Sequence, residues 1–461
     1  MHHDSPAANC RSSSAPSRSS AARLRPVRPG ATGLALVEML IALAVGVFLL
    51  GGIIQMLVSS KASYRLSEAQ SRIQENGRYA AHTLARELRG SRSAGCRSAL
   101  MEEHFQSLNV LACDLLDTDG QTGCTGPPAI GHTVPMGYDA SQRGTGNWLA
   151  QLPGNTSTGG QAAVDAAWLR GDVLVYWGTP GSGALVRANG SVLADRTGPL
   201  DLVSSGSDSS FRLGDLALAT DCVGSDIFEV ADGAGGDPDD PLDSLPHARN
   251  DAQGGQANRE PSVLSRAYGL NPTNTGTGLV ETRATDYRPR VFPFDYQVYF
   301  VCCVDTRDGE RETGSTVQNC TTNPERYRPA LCRWGAGETV QALIQDVADM
   351  RVTYDGTIDV SSEMAEDADL DSSVNSRFED LDAVTDAAWV SSRGYWERVD
   401  SARIRLLVTA GESVRTESAA PNPDAADPND PGYGLPADRR LYDLYEVTVS
   451  NRAGSPWFVG R

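Results

Sequence analysis

The side chains able to do chemistry are few in kind and scattered. Of the six histidines, His2 and His3 lie near the start and His82 in a helical stretch, which leaves His104, His132 and His247 for the rest. None belongs to an HExxH pair that would hold zinc, and no serine occupies a GxSxG elbow. Residues 178–183 (GTPGSG) are glycine-rich, but no lysine follows them and no helix opens behind them, so they read as a tight turn between strands. Lys61 is the only lysine, which removes Schiff bases and the phosphate-binding lysine of a P-loop from consideration. Carboxylates are so plentiful that chance pairs are expected, and no pair stands out for acid–base work. Asp367-x-Asp369-x-Asp371 and Asp117-x-Asp119-Gly120 begin like calcium loops. The first has Ser372 where the turn needs glycine and Phe378 where the loop needs a closing glutamate, and the second lacks that glutamate too. Both read as solvated acidic loops. The expectation is a protein without a catalytic residue, a metal site or a cofactor, and hence not an enzyme.

The chemically informative residue is a lone acid. From Leu34 to Val58 the chain is apolar apart from a few uncharged polar or small residues, and Glu38 is the only charge. At about 1.5 Å per residue such a run crosses a hydrocarbon core of roughly 30 Å. A carboxylate inside it costs a few kcal/mol if deep, so it needs a partner. Arg11, Arg18, Arg23, Arg25 and Arg28 precede the run against a single acid, Asp4. That asymmetry keeps the N-terminus in the cytoplasm and puts everything after Val58 on the other side.

The helical pattern continues past Val58 in a different character. Leu66, Ala69, Ile73, Ala80, Leu84 and Leu88 recur at intervals of three, four or seven, an apolar stripe with charged residues on the other sides. Asn76-Gly77 weakens the middle and Gly90 is a stop signal. A helix over 34–89 is apolar all round in its first half and amphipathic in its second, as suits one end in lipid or a filament core and the other against a sheet. From Cys96 onward short β-type runs alternate with Gly-, Ser-, Asp- and Pro-rich loops. Strands are expected at 173–177, 227–230, 296–301, 350–354, 403–409 and 444–449, with a short helical turn over 341–347. Ile404, Leu406 and Val408 share one strand face, as do Tyr445, Val447 and Val449. Residues 232–261, 361–382 and 411–440 read as loops or disorder.

Charge is divided as sharply as hydropathy. Residues 1–95 carry net +7 and the remainder −26, a balance that repels nucleic acid, so no general nucleic-acid partner is expected. Nine cysteines include Cys10 near the start; the other eight are Cys96, Cys113, Cys124, Cys222, Cys302, Cys303, Cys320 and Cys332. An even set outside the cytoplasm favours disulfides, whereas zinc would want closer CxxC spacing. Cys302 and Cys303 are adjacent on an expected strand, so they face opposite sides and need different partners. Local bridges from Cys302 or Cys303 to Cys320 or Cys332 are the expectation.

Gly33-Leu34-Ala35-Leu36-Val37-Glu38 resembles the processing site of type IV prepilins. The resemblance implies cleavage after Gly33 by prepilin peptidase, N-methylation of Leu34, and a Glu38 that meets the terminal amine of a neighbouring subunit. Leu34 and Ala35 depart from the usual phenylalanine and threonine, and a leader of 33 residues is long. Further along, Asp221-Cys222 with Ile227-Phe228-Glu229-Val230, Tyr299-Phe300-Val301, and Arg328-Pro329-Ala330-Leu331-Cys332-Arg333 are similar to the PilW family of minor pilins. So are residues 343–354, 396–408, 439–452 and, on the helix, Gln74-Glu75-Asn76-Gly77-Arg78-Tyr79.

PilW membership implies an α+β pilin fold whose helix lies across an antiparallel sheet. The chain then divides into a leader (1–33), a long helix (34–89, of which 34–58 spans the membrane) and a β-rich outer domain (90–461). It implies an inner-membrane minor pilin that primes or caps pilus assembly, with other minor and major pilins, the peptidase and the assembly platform as partners. The alternatives are a type II secretion minor pseudopilin, or an anchored periplasmic enzyme or binding protein that joins no filament.

Overall fold

A computed structural model describes residues 35–89, 91, 108–116, 124, 130, 134–153, 160–179, 183–186, 196–202, 211–221, 224–231, 242–250, 256–265, 268, 289–336, 338–359, 375–377, 385–413 and 440–450. Two compact units divide between Ser63 and Tyr64. Helix α1 (Ala35–Arg89) contributes to both. In the first unit its side chains are exposed nearly throughout: Leu36, Met39, Phe48, Met56 and Val58 all stand open. In the second, Ala69, Ile73, Gly77, Ala80, Leu84 and Leu88 are buried at steps of four, four, three, four and four. That is the stripe expected from the sequence, with one correction: Leu66 is exposed and the buried stripe starts one turn later at Ala69.

The sheet that holds the middle of the second unit has the order β12–β11–β10–β3–β2. These strands are Gln341–Gln345, Tyr327–Gly335, Asp295–Asp305, Trp168–Gly178 and Gly137–Tyr138. Every pairing in it is antiparallel. The C-terminal sheet runs β14–β13–β15–β16, also antiparallel, from Asn375–Arg377, Val347–Asp359, Val399–Ser413 and Arg440–Ser450. A side sheet of order β1–β7–β6–β9–β4 uses Leu108–Val110, Ser225–Glu229, Leu216–Thr220, Arg290–Pro293 and Ala184–Leu185. Only its β1–β7 pair is parallel. A two-stranded ribbon joins β5 (Leu200–Asp201) to β8 (Ser244–Leu245). The architecture is α+β.

Burial follows strand alternation. Ile404, Leu406 and Val408 are fully buried, and Val449 with half-buried Tyr445 and Val447 packs on the same core. That core also holds the buried stripe of α1 and the Tyr176, Tyr299, Val301 and Leu331 face of the middle sheet. A second core on the other face of the middle sheet gathers Trp168, Val175, Trp177, Val298, Phe300 and Trp334. Burying side chains of this size is worth about 1.5–3 kcal/mol each, which is why the helix stripe and two sheet faces converge.

Two expectations are corrected. Residues 341–345 form an edge strand, not a helical turn. The unpaired edge of β11 takes up their backbone groups, Ile344 alone turns inward, and Asp346 at φ 68° redirects the chain into β13. Here tertiary pairing overrides local helical preference. Residues 232–261 are not all loop: β8 lies inside them, and Leu245, His247, Ala257 and Asn258 are buried. The Asn258 side chain accepts from Glu229 N and donates to Glu229 O and Ala248 O, which replaces the ladder that so irregular a stretch lacks. Likewise β14 falls within 361–382, and 411–413 and Arg440 belong to β15 and β16.

Candidate assembly surface

The residues singled out by sequence do not converge on a pocket. Gly33 and Leu34 lie outside the described residues, as do Cys96, Cys222, His104, His132 and both calcium-like acidic stretches. Glu38 is described. It sits in the first turn of α1, where the helix dipole favours a negative charge, among exposed apolar side chains. Among the described residues no three His, Cys, Asp or Glu side chains group as metal ligands. His82 is exposed on α1. His247 is buried: its Nε2 lies 3.0 Å from Gly198 O and its ring packs edge-on against Phe228. Burial holds its pKa below the usual imidazole value, so it is a neutral framework residue near neutral pH.

What the structure does assemble is a helix and its seat. The stretch of α1 from Leu36 to Val58 is apolar, carries one charge and, among the described residues, is exposed nearly throughout. Exposed apolar surface on this scale needs lipid or another helix around it. Among the described residues this is the only helix long and apolar enough to cross a membrane. The second half is held differently. A Cβ on Gly77 would overlap the ring of Tyr445 on β16, so the glycine that weakens the helix locally is what lets the sheet approach it. One residue earlier, Asn76 Nδ2 donates to Gln345 O at the end of β12, 3.3 Å away. The Asn76-Gly77 pair therefore touches the edge strands of both large sheets.

The seat is cross-braced. Cys302 bonds Cys332 on the neighbouring strand β11, while Cys303 bonds Cys320, the two adjacent cysteines taking partners on opposite faces of β10. Cys113 bonds Cys124 across a short interval.

Between the two large sheets, Gly171 on β3 has φ 76°, and a Cβ there would collide with the Asp349 carboxylate and the Met350 backbone. Beside it, buried Asp172 accepts from Val352 N at 2.8 Å and Ala140 N at 3.1 Å, with Arg351 Nη1 at 3.6 Å. Burial pushes its pKa up to about 8, opposed by Arg351 and aided by Asp139. In the side sheet, buried Asp226 accepts from Asn109, Ser265 and Tyr268 at 2.5–2.7 Å. Sequence reasoning passed over Asp172 and Asp226, and took Gly77 as a weak point of the helix and not as a contact.

No curated protein and no solved structure matches the chain. A family model does match residues 316–452, a span that takes in β11–β16 and so most of the strands on which α1 is seated. Over that span the chain is similar to PilW, the type IV pilus-assembly protein W.

Proposed function

We propose that this chain is a minor pilin that works by packing and not by catalysis. The observation that carries the reading is the division of α1: an apolar half exposed nearly throughout, continued by a half with one stripe buried in the core that includes PilW-matched strands. A prepilin would enter the inner membrane through residues 34–58, with the 33-residue leader in the cytoplasm and residues 90–461 in the periplasm. Cleavage after Gly33 and methylation of Leu34 would free a new N-terminus beside Glu38. Glu38 then pairs with the amine of an adjacent subunit, two charges that are each costly in an apolar setting and tolerable together. The apolar half moves from lipid into a bundle of pilin helices, and the outer domain joins the priming or tip complex with other minor pilins. The bridges at Cys113, Cys302 and Cys303 suit an oxidising compartment such as the periplasm.

N-terminal mass spectrometry of the membrane-bound protein tests the reading. A mature chain that begins with N-methyl-Leu34 is expected. A chain still carrying its arginine-rich leader, in cells whose prepilin peptidase is active, overturns it.

A further inference from the structure

An open cleft of about 500 Å³ is lined by Arg143, Thr145, Trp148, Gln161 and Asp165, all from the chain between β2 and β3. Its polar groups are held in place before any ligand arrives. The Arg143 guanidinium lies 4.3 Å from the ring centroid of Trp168, and its Nε is 3.2 Å from Asp165 Oδ1. Trp148 Nε1 donates to the same oxygen at 2.9 Å, and Gln161 Nε2 donates to Trp148 O at 3.2 Å. Trp148 and Trp168 pack edge to face at 5.4 Å behind them, both buried.

The groups left over decide what the cleft takes. Asp165 Oδ2, Gln161 Oε1 and the Arg143 Nη atoms make no hydrogen bond among the described residues, so acceptors and forked donors stand side by side. A hydroxyl needs both, since it donates one hydrogen bond and accepts another. A carboxylate or phosphate needs donors alone and would meet Asp165. The Arg143–Asp165 pair cancels in charge, which favours a neutral ligand, and the volume falls in the range of small-ligand sites.

We propose that this cleft binds a neutral polyhydroxylated ligand, a hexose or a hexose unit of a glycan. Adjacent hydroxyls accept from Arg143 Nη and donate to Asp165 Oδ2, while Gln161 Oε1 accepts from a third. Such a site gives the outer domain a contact of its own, independent of how the helix assembles.

The test is saturation-transfer NMR on the full chain in detergent, with glucose, galactose and mannose offered singly at millimolar concentration and glucuronate as the anionic control. Transfer to at least one neutral hexose is expected, stronger than to glucuronate. Asp165→Asn should reduce it several-fold, and Gln161→Ala should also reduce it, at a cost in melting temperature no greater than loss of the single bond to Trp148 O. No transfer from any neutral hexose, preference for glucuronate, or full transfer in both variants would each overturn the assignment.

Discussion

At the scale of single residues, Glu38 and Asp172 are opposite uses of a carboxylate in an apolar setting. Glu38 is exposed on α1 among side chains that need lipid or protein around them, and its proposed partner comes from another subunit. Glu38→Val should leave cleavage after Gly33 intact and reduce surface pili several-fold, counted by electron microscopy and by immunoblot of sheared filaments. Normal piliation would remove Glu38 from assembly. Asp172 is instead satisfied within the chain, and burial raises its pKa to about 8, against about 4 for an unfolded aspartate. Its folded form therefore holds a proton that the unfolded form has lost. That contribution to stability is complete below about pH 4 and disappears as pH rises through about 8. Asp172→Asn keeps a carbonyl acceptor and cannot ionise. By the same linkage its urea midpoint should fall less than the parent's between about pH 4 and pH 8, the window between the two pKa values. Identical slopes for both proteins would show that Asp172 does not titrate there.

At the scale of elements, the contact between α1 and β16 is set by the absence of a side chain. Gly77→Ala places a methyl group into the Tyr445 ring, and overpacking of this kind costs about 1–3 kcal/mol although alanine is the better helix former. Thermal unfolding should show a lower midpoint for Gly77→Ala. Tyr445→Ala in the same chain should recover part of the loss, because the two changes act on one contact. Additive losses would mean that the ring and the glycine do not meet. The strand β12 illustrates the same dependence on neighbours: with Gln341, Ala342 and Leu343 exposed and only Ile344 buried, it exists because β11 offers an edge.

At the scale of the whole molecule, the second unit carries the cores and the described disulfides, while the first carries exposed apolar helix. The full chain should need detergent, and a chain beginning at Tyr64 should stay in solution without it. Sedimentation after detergent removal distinguishes the two, and a Tyr64 chain that pellets would show that the second unit does not fold by itself. Each native disulfide contributes about 2–4 kcal/mol in domains of this kind. Heating with reductant should lower the melting temperature of the Tyr64 chain by roughly 10 °C or more. Because Cys302, Cys303 and Cys332 are fully buried, reductant acts through opened chains, and the shift should grow at slower scan rates.

An unbroken apolar run made the first half of α1 legible, and periodicity the second, since a helix repeats every 3.6 residues whatever lies beside it. The same holds for the inward faces of β15 and β16, where period two alone sorts Ile404, Leu406 and Val408 from their neighbours. Vicinal Cys302 and Cys303 had to diverge because adjacent strand residues face apart. What sequence left open depends on elements far apart in the chain. Gly77 had the look of a weak point until Tyr445, more than three hundred residues later, came to rest on it. Residues 242–250 looked like loop because their hydrogen bonds go to side chains and to short distant strands, which leave no period to detect. The cleft at Arg143 and Asp165 carries no motif at all, because its polar groups are matched by packing on Trp168 and Trp148 and not by spacing. By itself, then, the sequence determined the helix, its change of character and the faces of the strands, all consequences of local geometry. Only the tertiary structure decided which surfaces meet, because burial depends on what the rest of the chain brings alongside.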